Sequence, residues 1–400
     1  MTIKNTLGAL AMLAMAAGPA LAQAQYGPGA SDTEIRIGNT MPYSGPASVF
    51  AVNGRMIAAV IARANAEGGI NGRQINFISY DDAYNPARTM EQTRRLVERD
   101  EVLFIAAPVG SAHNIAIQRY LNQREVPHLL LLAGGTRWND PQTYPWTVSG
   151  LLSPYGLEGY AFAQNAVAEN PTASIAVLYQ NDDLGREYLE GVERGIEGTG
   201  ATIASALSFE VVDPSVDGQI VSLQATGADT LMLFGVPRAV AQAIRKAADL
   251  GWTPARYMGS VASVIQTSLV PAGVEISTGI ITSATQQDAS DEAFQQTQAY
   301  RDYMDTIEGY YPDAEPTNGS VISGYNTGHV LLQILREAGD TLTRQNILDV
   351  ARNLSTVNAP LMLPGIPLAT SPDNYQMIRG IQLERFNGQS YDLFGDVVEF

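Results

Sequence analysis

Short apolar runs alternate with helix-period patterns along most of the 400-residue chain. Glu34–Asn39 alternates apolar and polar positions, and Gln74–Tyr80, Val102–Ala106 and His128–Leu132 follow as further strand-length runs. Between them, Phe50–Ala66 places Met56, Ala59, Val60 and Ala64 on one helical face, and Gly68-Gly69 ends it. Asn85-Pro86 supplies an N-cap and a proline at the first helical position, which predicts a helix to about Arg99. A further helical pattern runs from near Ala112 to about Arg124. Strands joined by helical crossovers imply a parallel sheet covered on both faces. Its ligand-facing loops lie at the carboxyl ends of the strands, so residues 41–50, 81–85, 107–113 and 133–139 should gather along one edge.

The alternation then restarts. Strands are predicted at Ser174–Tyr179, Ala201–Phe209, Thr230–Phe234 and Arg256–Gly259, with helices at Tyr155–Ala168, Leu184–Gly195, Asp217–Ala225 and Val236–Leu250. The break near Ser149–Ser153 divides two α/β series and predicts two lobes with a cleft between them. Beyond Thr282 the pattern is mostly helical, at Asp291–Glu308, Asn318–Ala338 and Thr343–Asn353, before a Pro-rich tail and a strand-like Ile381–Arg385. These helices form a third domain or, more economically, return to complete the first lobe.

The chemistry starts at Ala107-Pro-Val-Gly-Ser-Ala-His-Asn114, behind the apolar run Val102–Ala106. Ser111 falls where a helix N-cap would, and a strand–corner–helix unit offers free N–H groups and a favourable dipole to an anion. His113 lies next to that corner. Arg137-Trp138 follows the fourth strand in the same layer of loops, where guanidinium and indole suit a carboxylated or aromatic ligand. Arg238, at the start of the Val236 helix, is the comparable candidate in the second lobe. His128 and His329 are read as structural, and Asp81-Asp82 and Asp182-Asp183 as capping and loop residues, with Asp183 as the N-cap of the helix after it.

Other signatures are missing. The sequence has no G-x-S-x-G elbow, H-E-x-x-H, Walker A loop or G-x-G-x-x-G, and its three histidines lack metal-ligand spacing. It therefore reads as a binding protein and not an enzyme, with no cofactor and no metal. With 24 basic against 41 acidic residues, and a formal charge of -17, it lacks the basic face a nucleic-acid binder needs. Lys4, the apolar Leu7–Ala17 and the small residues at 20–24 make a signal peptide over residues 1–24, so the protein is expected in a periplasm. There is no cysteine for a disulfide or a lipid anchor.

Several segments in order resemble one family. They are Ile37-Gly-Asn-Thr-Met-Pro-Tyr-Ser-Gly-Pro46, Gly68-Gly-Ile-Asn-Gly72, Tyr80-Asp-Asp-Ala-Tyr-Asn-Pro86, Val177-Leu-Tyr-Gln-Asn-Asp-Asp-Leu-Gly185 and Ala247-Ala-Asp-Leu-Gly251. Together they resemble the periplasmic solute-binding proteins of ABC importers, in the branched-chain amino-acid (Leu/Ile/Val-binding) family. The resemblance implies a type I periplasmic-binding fold: α/β, with two Rossmann-like lobes of parallel sheet joined by a three-crossover hinge. Residues 31–150 plus 283–379 would form the N-terminal lobe, and 151–282 plus 380–400 the C-terminal lobe. It implies a monomer that delivers a small-molecule ligand to the membrane subunits of an ABC permease.

Carried over by position, the resemblance puts the ligand-carboxylate anchor on Ser111 and on the Gly134/Thr136 segment, with Phe50 covering the ligand. Two tyrosines of the family correspond to Leu184 and Val236. The acid that holds a ligand ammonium would follow Tyr257-Met-Gly259, but the chain there reads Ser260-Val261-Ala262-Ser263, and no acid occurs within Met258–Pro271. Burying an ammonium without a carboxylate is strongly unfavourable. The expected ligand is therefore an aromatic or other apolar carboxylate without an α-amino group, as for the family's aromatic-acid binders. An amino-acid ligand and a sensory role beside a receptor are the alternatives.

Overall fold

The computed structural model describes residues 25–399; the expected signal peptide lies outside the described residues. The first sheet contains β1 (Glu34–Met41), β2 (Gln74–Asp81), β3 (Phe104–Ala106), β4 (His128–Leu131) and β5 (Thr147–Ser149). Its order is β2-β1-β3-β4-β5, and every pairing is parallel. Helices α1 (Ala51–Ala66), α2 (Pro86–Glu98) and α3 (Ser111–Gln123) are its crossovers. Strands covered on both faces carry no polar alternation, and β3 and β4 are buried at every position.

The second sheet holds β6 (Ser174–Gln180), β7 (Thr202–Phe209), β8 (Thr230–Phe234), β9 (Ala255–Met258), β10 (Ile281–Ala284), β11 (Gly380–Phe386) and β12 (Tyr391–Glu399). Its order is β12-β11-β10-β9-β8-β6-β7. The β10–β11 and β11–β12 pairings are antiparallel and the others parallel. Helices α4 (Tyr155–Glu169), α5 (Asp183–Ile196), α6 (Asp217–Gln224) and α7 (Pro237–Asp249) flank it. The chain thus passes from the first sheet to the second after β5, leaves it after β10, and re-enters it at β11.

The intervening helices α8 (Gln298–Tyr310), α9 (Gly319–Ala338) and α10 (Arg344–Ala351) pack on the first sheet. Val321, Leu331 and Leu335 share one apolar core with Ile35, Met56 and Leu129. The single helix read over Asp291–Glu308 is two in the structure. Thr297 interrupts it and caps α8, its side chain accepting from the Tyr300 N–H at 3.2 Å. Asp182, not Asp183, caps α5, because Asp183 already lies in the first turn. No described helix is long and apolar enough to cross a membrane.

Candidate functional site

The corner after β3 is fixed by buried polar side chains. Asn39 Nδ2 donates to the carbonyls of Ala106 and Ala107 at 2.8 and 3.0 Å, and its Oδ1 accepts from Ser79 Oγ at 2.6 Å. Asn114 Nδ2 donates to the carbonyls of Pro108 and Gly110 at 3.0 and 2.8 Å. That leaves Asn114 Oδ1 as an acceptor for His128 Nε2 at 2.7 Å. Burial pushes the His128 pKa down to about 3, so its ring is neutral with the proton on Nε2. His128 is therefore structural: it holds the asparagine that holds the corner.

Gly110, and not Ser111, is the N-cap of α3. At φ 96° its backbone occupies a region open to glycine and little else. A Cβ there would meet His113 Nδ1 at 2.5 Å and the Tyr84 ring at 2.9 Å. Gly110 and Val109 line a cavity between the two sheets, so the unpaired N–H groups of the first turn begin at its wall. Ser111 is buried just behind; its Oγ is near the Tyr155 phenol but outside hydrogen-bonding geometry. His113 does not reach the cavity. It is buried beneath Tyr84, ring centroids 4.1 Å apart, and both its nitrogens lack a partner.

Tyr84 lines the cavity from a strained turn, with φ 52° at Ala83 and 54° at Tyr84. Each left-handed non-glycine residue costs about 1–2 kcal/mol. Asp81 and Asp82 offset that cost: Asp81 Oδ1 accepts from Ala83 N and Asp82 Oδ1 from Tyr84 N, both at 2.9 Å. Asp82 also accepts from Thr89 Oγ1 at 2.9 Å. The aspartates hold a loop, as their adjacent spacing implied.

Phe50, Leu184, Val236 and Val261 all line the same cavity, together with Tyr155 and Tyr391, which the sequence did not single out. Its empty space is about 1260 Å³ counting the open mouth.

The remaining candidates lie elsewhere. Trp138 is 1% exposed and packs on Leu131, Ala133 and Ile115, because the 3₁₀ turn at Thr136–Trp138 rolls the indole inward. Arg238 is on the exposed side of α7, donating to the carbonyls of Val211 and Asp213. The residue presented to the cavity is Val236, the cap of that helix. Gly134 contributes a carbonyl to the Tyr155 N–H at 3.0 Å and does not line the cavity.

Thr136 and Arg137 cross the rim between the lobes instead. The Thr136 N–H donates to Glu187 Oε1 at 2.8 Å, and Arg137 pairs with Asp183 at 3.1 Å. Both partners of the ion pair are more than a third exposed, so it contributes under about 1 kcal/mol. Arg137→Ala is accordingly expected to raise the ligand Kd by no more than about fivefold in calorimetry.

Acids reach the site from elements remote in sequence. Glu158 on α4 is fully buried beneath the loop after β9, accepting from Ser260 N at 2.8 Å, Ser260 Oγ at 2.7 Å and Tyr188 OH at 2.8 Å. Glu384 on β11 and Asp288 in the segment after β10 line the cavity itself. No acid occurs within Met258–Pro271, as the sequence shows, but Asp288 and Glu384 bring acids to the cavity from elements that follow the second crossover. Period-2 alternation within β11, which puts Glu384 on the face of Gln382 and Phe386, was the available signal.

The profile of the periplasmic binding protein family matches residues 34–390. Leu/Ile/Val-binding protein homolog 7 of Brucella abortus is 22% identical over 334 residues, spanning 79% of this chain and 80% of that protein. A leucine-, isoleucine-, valine-, threonine- and alanine-binding protein of Pseudomonas aeruginosa is 23% identical over 315 residues, 78% and 80% of the two chains. Among solved structures, a branched chain amino acid ABC transporter from Thermus thermophilus with bound valine superposes with a TM-score of 0.83 at 15% identity, covering 92% of this chain and 97% of that one. A fatty acid ABC transporter substrate-binding protein from Thermomonospora curvata gives 0.77 at 17% identity, over 94% and 95%.

Proposed function

Because the chain belongs to the periplasmic binding protein family, matched over residues 34–390, we propose that it captures a small organic carboxylate with an apolar body, aromatic acids included, and delivers it to an ABC permease. The observation that carries this reading is the start of α3 at the cavity wall. Gly110 there leads into unpaired N–H groups, in a cavity with no lysine, arginine or histidine in its lining. A helix N-terminus is then the fixed positive end available to an anion. The aromatic rings of Phe50, Tyr84, Tyr155 and Tyr391 favour a flat or apolar body. Relatives named for branched-chain amino acids and for a fatty acid are consistent with it, since both ligand classes carry a carboxylate.

The test is calorimetry with carboxylates and the primary amides of the same bodies. Each carboxylate that binds is expected to bind at least about tenfold tighter than its amide, the worth of one charge-assisted contact. Equal affinities would remove the anion site. Glu384 and Asp288 also admit an amino acid, and a leucine arm in the same titration checks that second reading.

A further inference from the structure

Glu158 lies one layer behind the cavity wall. It is fully buried and does not line the cavity, whereas Ser260, the residue it holds, does. Its two oxygens are engaged differently. Oε2 accepts two hydrogen bonds, from the Ser260 N–H and from Tyr188 OH, both at 2.8 Å. Oε1 has a single hydrogen-bond partner, Ser260 Oγ at 2.7 Å. Tyr188 is held in place by stacking on Tyr155 and Phe234, with ring centroids 5.0 and 4.4 Å away. Gly259 closes over its hydroxyl, where a Cβ would stand 2.6 Å from the phenol oxygen.

A proton on Glu158 therefore goes to Oε1, because Oε2 already takes two donors. This gives the Ser260 hydroxyl two roles. Beside an ionised Glu158 its hydrogen is committed to Oε1, and it offers a ligand lone pairs only. Beside a neutral Glu158 it accepts the carboxyl proton, and its own hydrogen is free to turn into the cavity. The titratable groups facing Glu158 are the Tyr188 phenol on α5 and the Glu384 carboxyl on β11, with Ser283 on β10 a further polar neighbour. Burial, offset in part by the hydrogen bonds, holds the Glu158 pKa up at about 7, so the two states exchange between pH 6 and 8.5. We propose that Glu158 is a positioning residue that sets the hydrogen-bond polarity of Ser260, making this wall a donor to a ligand carbonyl when Glu158 is neutral and an acceptor alone when it is ionised. The inference rests on this cavity being the ligand site of the proposed function, but it does not need the carboxylate end.

The test is calorimetry on the whole protein at pH 6.0 and 8.5 with ketones against hydrocarbons of matched shape: 4-acetylbenzoate against 4-isopropylbenzoate, 5-oxohexanoate against 5-methylhexanoate, and acetophenone against cumene. The ratio within a pair cancels whatever Glu384 does to both members. In at least one pair the ketone should gain about fivefold on the hydrocarbon at pH 6.0 relative to pH 8.5, the worth of one neutral hydrogen bond. In Glu158→Gln the amide donates to Ser260 Oγ at every pH, so the pH 6.0 ratio should persist at pH 8.5. In Ser260→Ala the ratio should be equal at the two pH values. Glu158→Gln can keep all three hydrogen bonds, so its unliganded melting temperature at pH 8.5 should equal or exceed that of the wild type, which keeps misfolding apart from loss of the switch. A wild-type ratio that moves with pH in no pair, undetectable binding included, would overturn the proposal, as would a pH-dependent ratio that survives Glu158→Gln or Ser260→Ala. Carboxylates that bind with a flat ratio would remove the switch and leave the carboxylate reading standing. A pH-dependent preference for acetophenone that depends on Glu158, with no carboxylate bound, would support the switch and contradict the carboxylate reading.

Discussion

Gly134→Ala is expected to cost about 2–3 kcal/mol of folding stability and to weaken ligand binding with it. A Cβ at Gly134 would sit 1.9 Å from the Ser153 carbonyl oxygen and 2.7 Å from the Tyr155 ring. The nearest obstacle is backbone, which no side-chain rotation relieves. Ser153 and Tyr155 both line the cavity, and they occupy the first crossover between the lobes. The strain therefore falls on the hinge and the binding wall together. Denaturant midpoints measure the first effect and calorimetry the second. Gly218→Ala in α6 is the control, since its Cβ would meet nothing within 4 Å; it should gain about 0.5–1 kcal/mol.

The unliganded protein is expected to lose stability as pH rises from 6.5 to 8.5. Burial holds the folded-state pKa of Glu158 up at about 7 and that of Glu384 at about 8, against an ordinary value of 4.5. A carboxyl raised in this way binds more protons folded than unfolded, so its stabilising effect is complete at low pH and disappears as pH climbs through the folded pKa. The histidines act in the opposite sense at lower pH. Burial pushes His128 to about 3 and His329 to about 4, so they destabilise the fold as pH falls below their ordinary 6.5. The two trends oppose each other below pH 6.5, and above it the carboxyls act alone. At about 1.4 kcal/mol per pH unit for each group still titrating, the fall is about 2–3 kcal/mol. Chemical denaturation at the two pH values measures it, and Glu384→Gln should remove most of the drop. A flat or rising profile would show that these carboxyls are not held neutral by the fold.

The two-series α/β pattern was legible because its central strands are buried on both faces and read as unbroken apolar runs. Three strands of the two large sheets escaped for different physical reasons. Thr147–Ser149 is only three residues long and follows a Pro-Trp turn; Ile281–Ala284 buries Thr282 and Ser283 inside a sheet. Tyr391–Glu399 is an edge strand whose positions are exposed or half-buried throughout, so it has no apolar face to betray it.

The site was partly legible for the same reason. Strand ends and helix starts localise a corner to within a residue, which put Ser111 where Gly110 stands. Which residue of a loop faces the ligand is set by turn conformation, and a 3₁₀ turn sent Trp138 inward and left Arg137 at the rim. Period-2 alternation gives the face of Glu384 but not its place in the cavity, because a strand more than 200 residues from the corner must first cross back between the lobes.

A crystal structure of the protein with the tightest-binding aromatic carboxylate of a calorimetric panel tests directly whether a carboxylate is held at the start of α3 inside the cavity. Carboxylate oxygens are expected about 2.7–3.1 Å from N–H groups of the Ser111–His113 turn, with the ring among Phe50, Tyr84 and Tyr155. A ligand outside the cavity, or one whose carboxylate turns away from that turn, would contradict it.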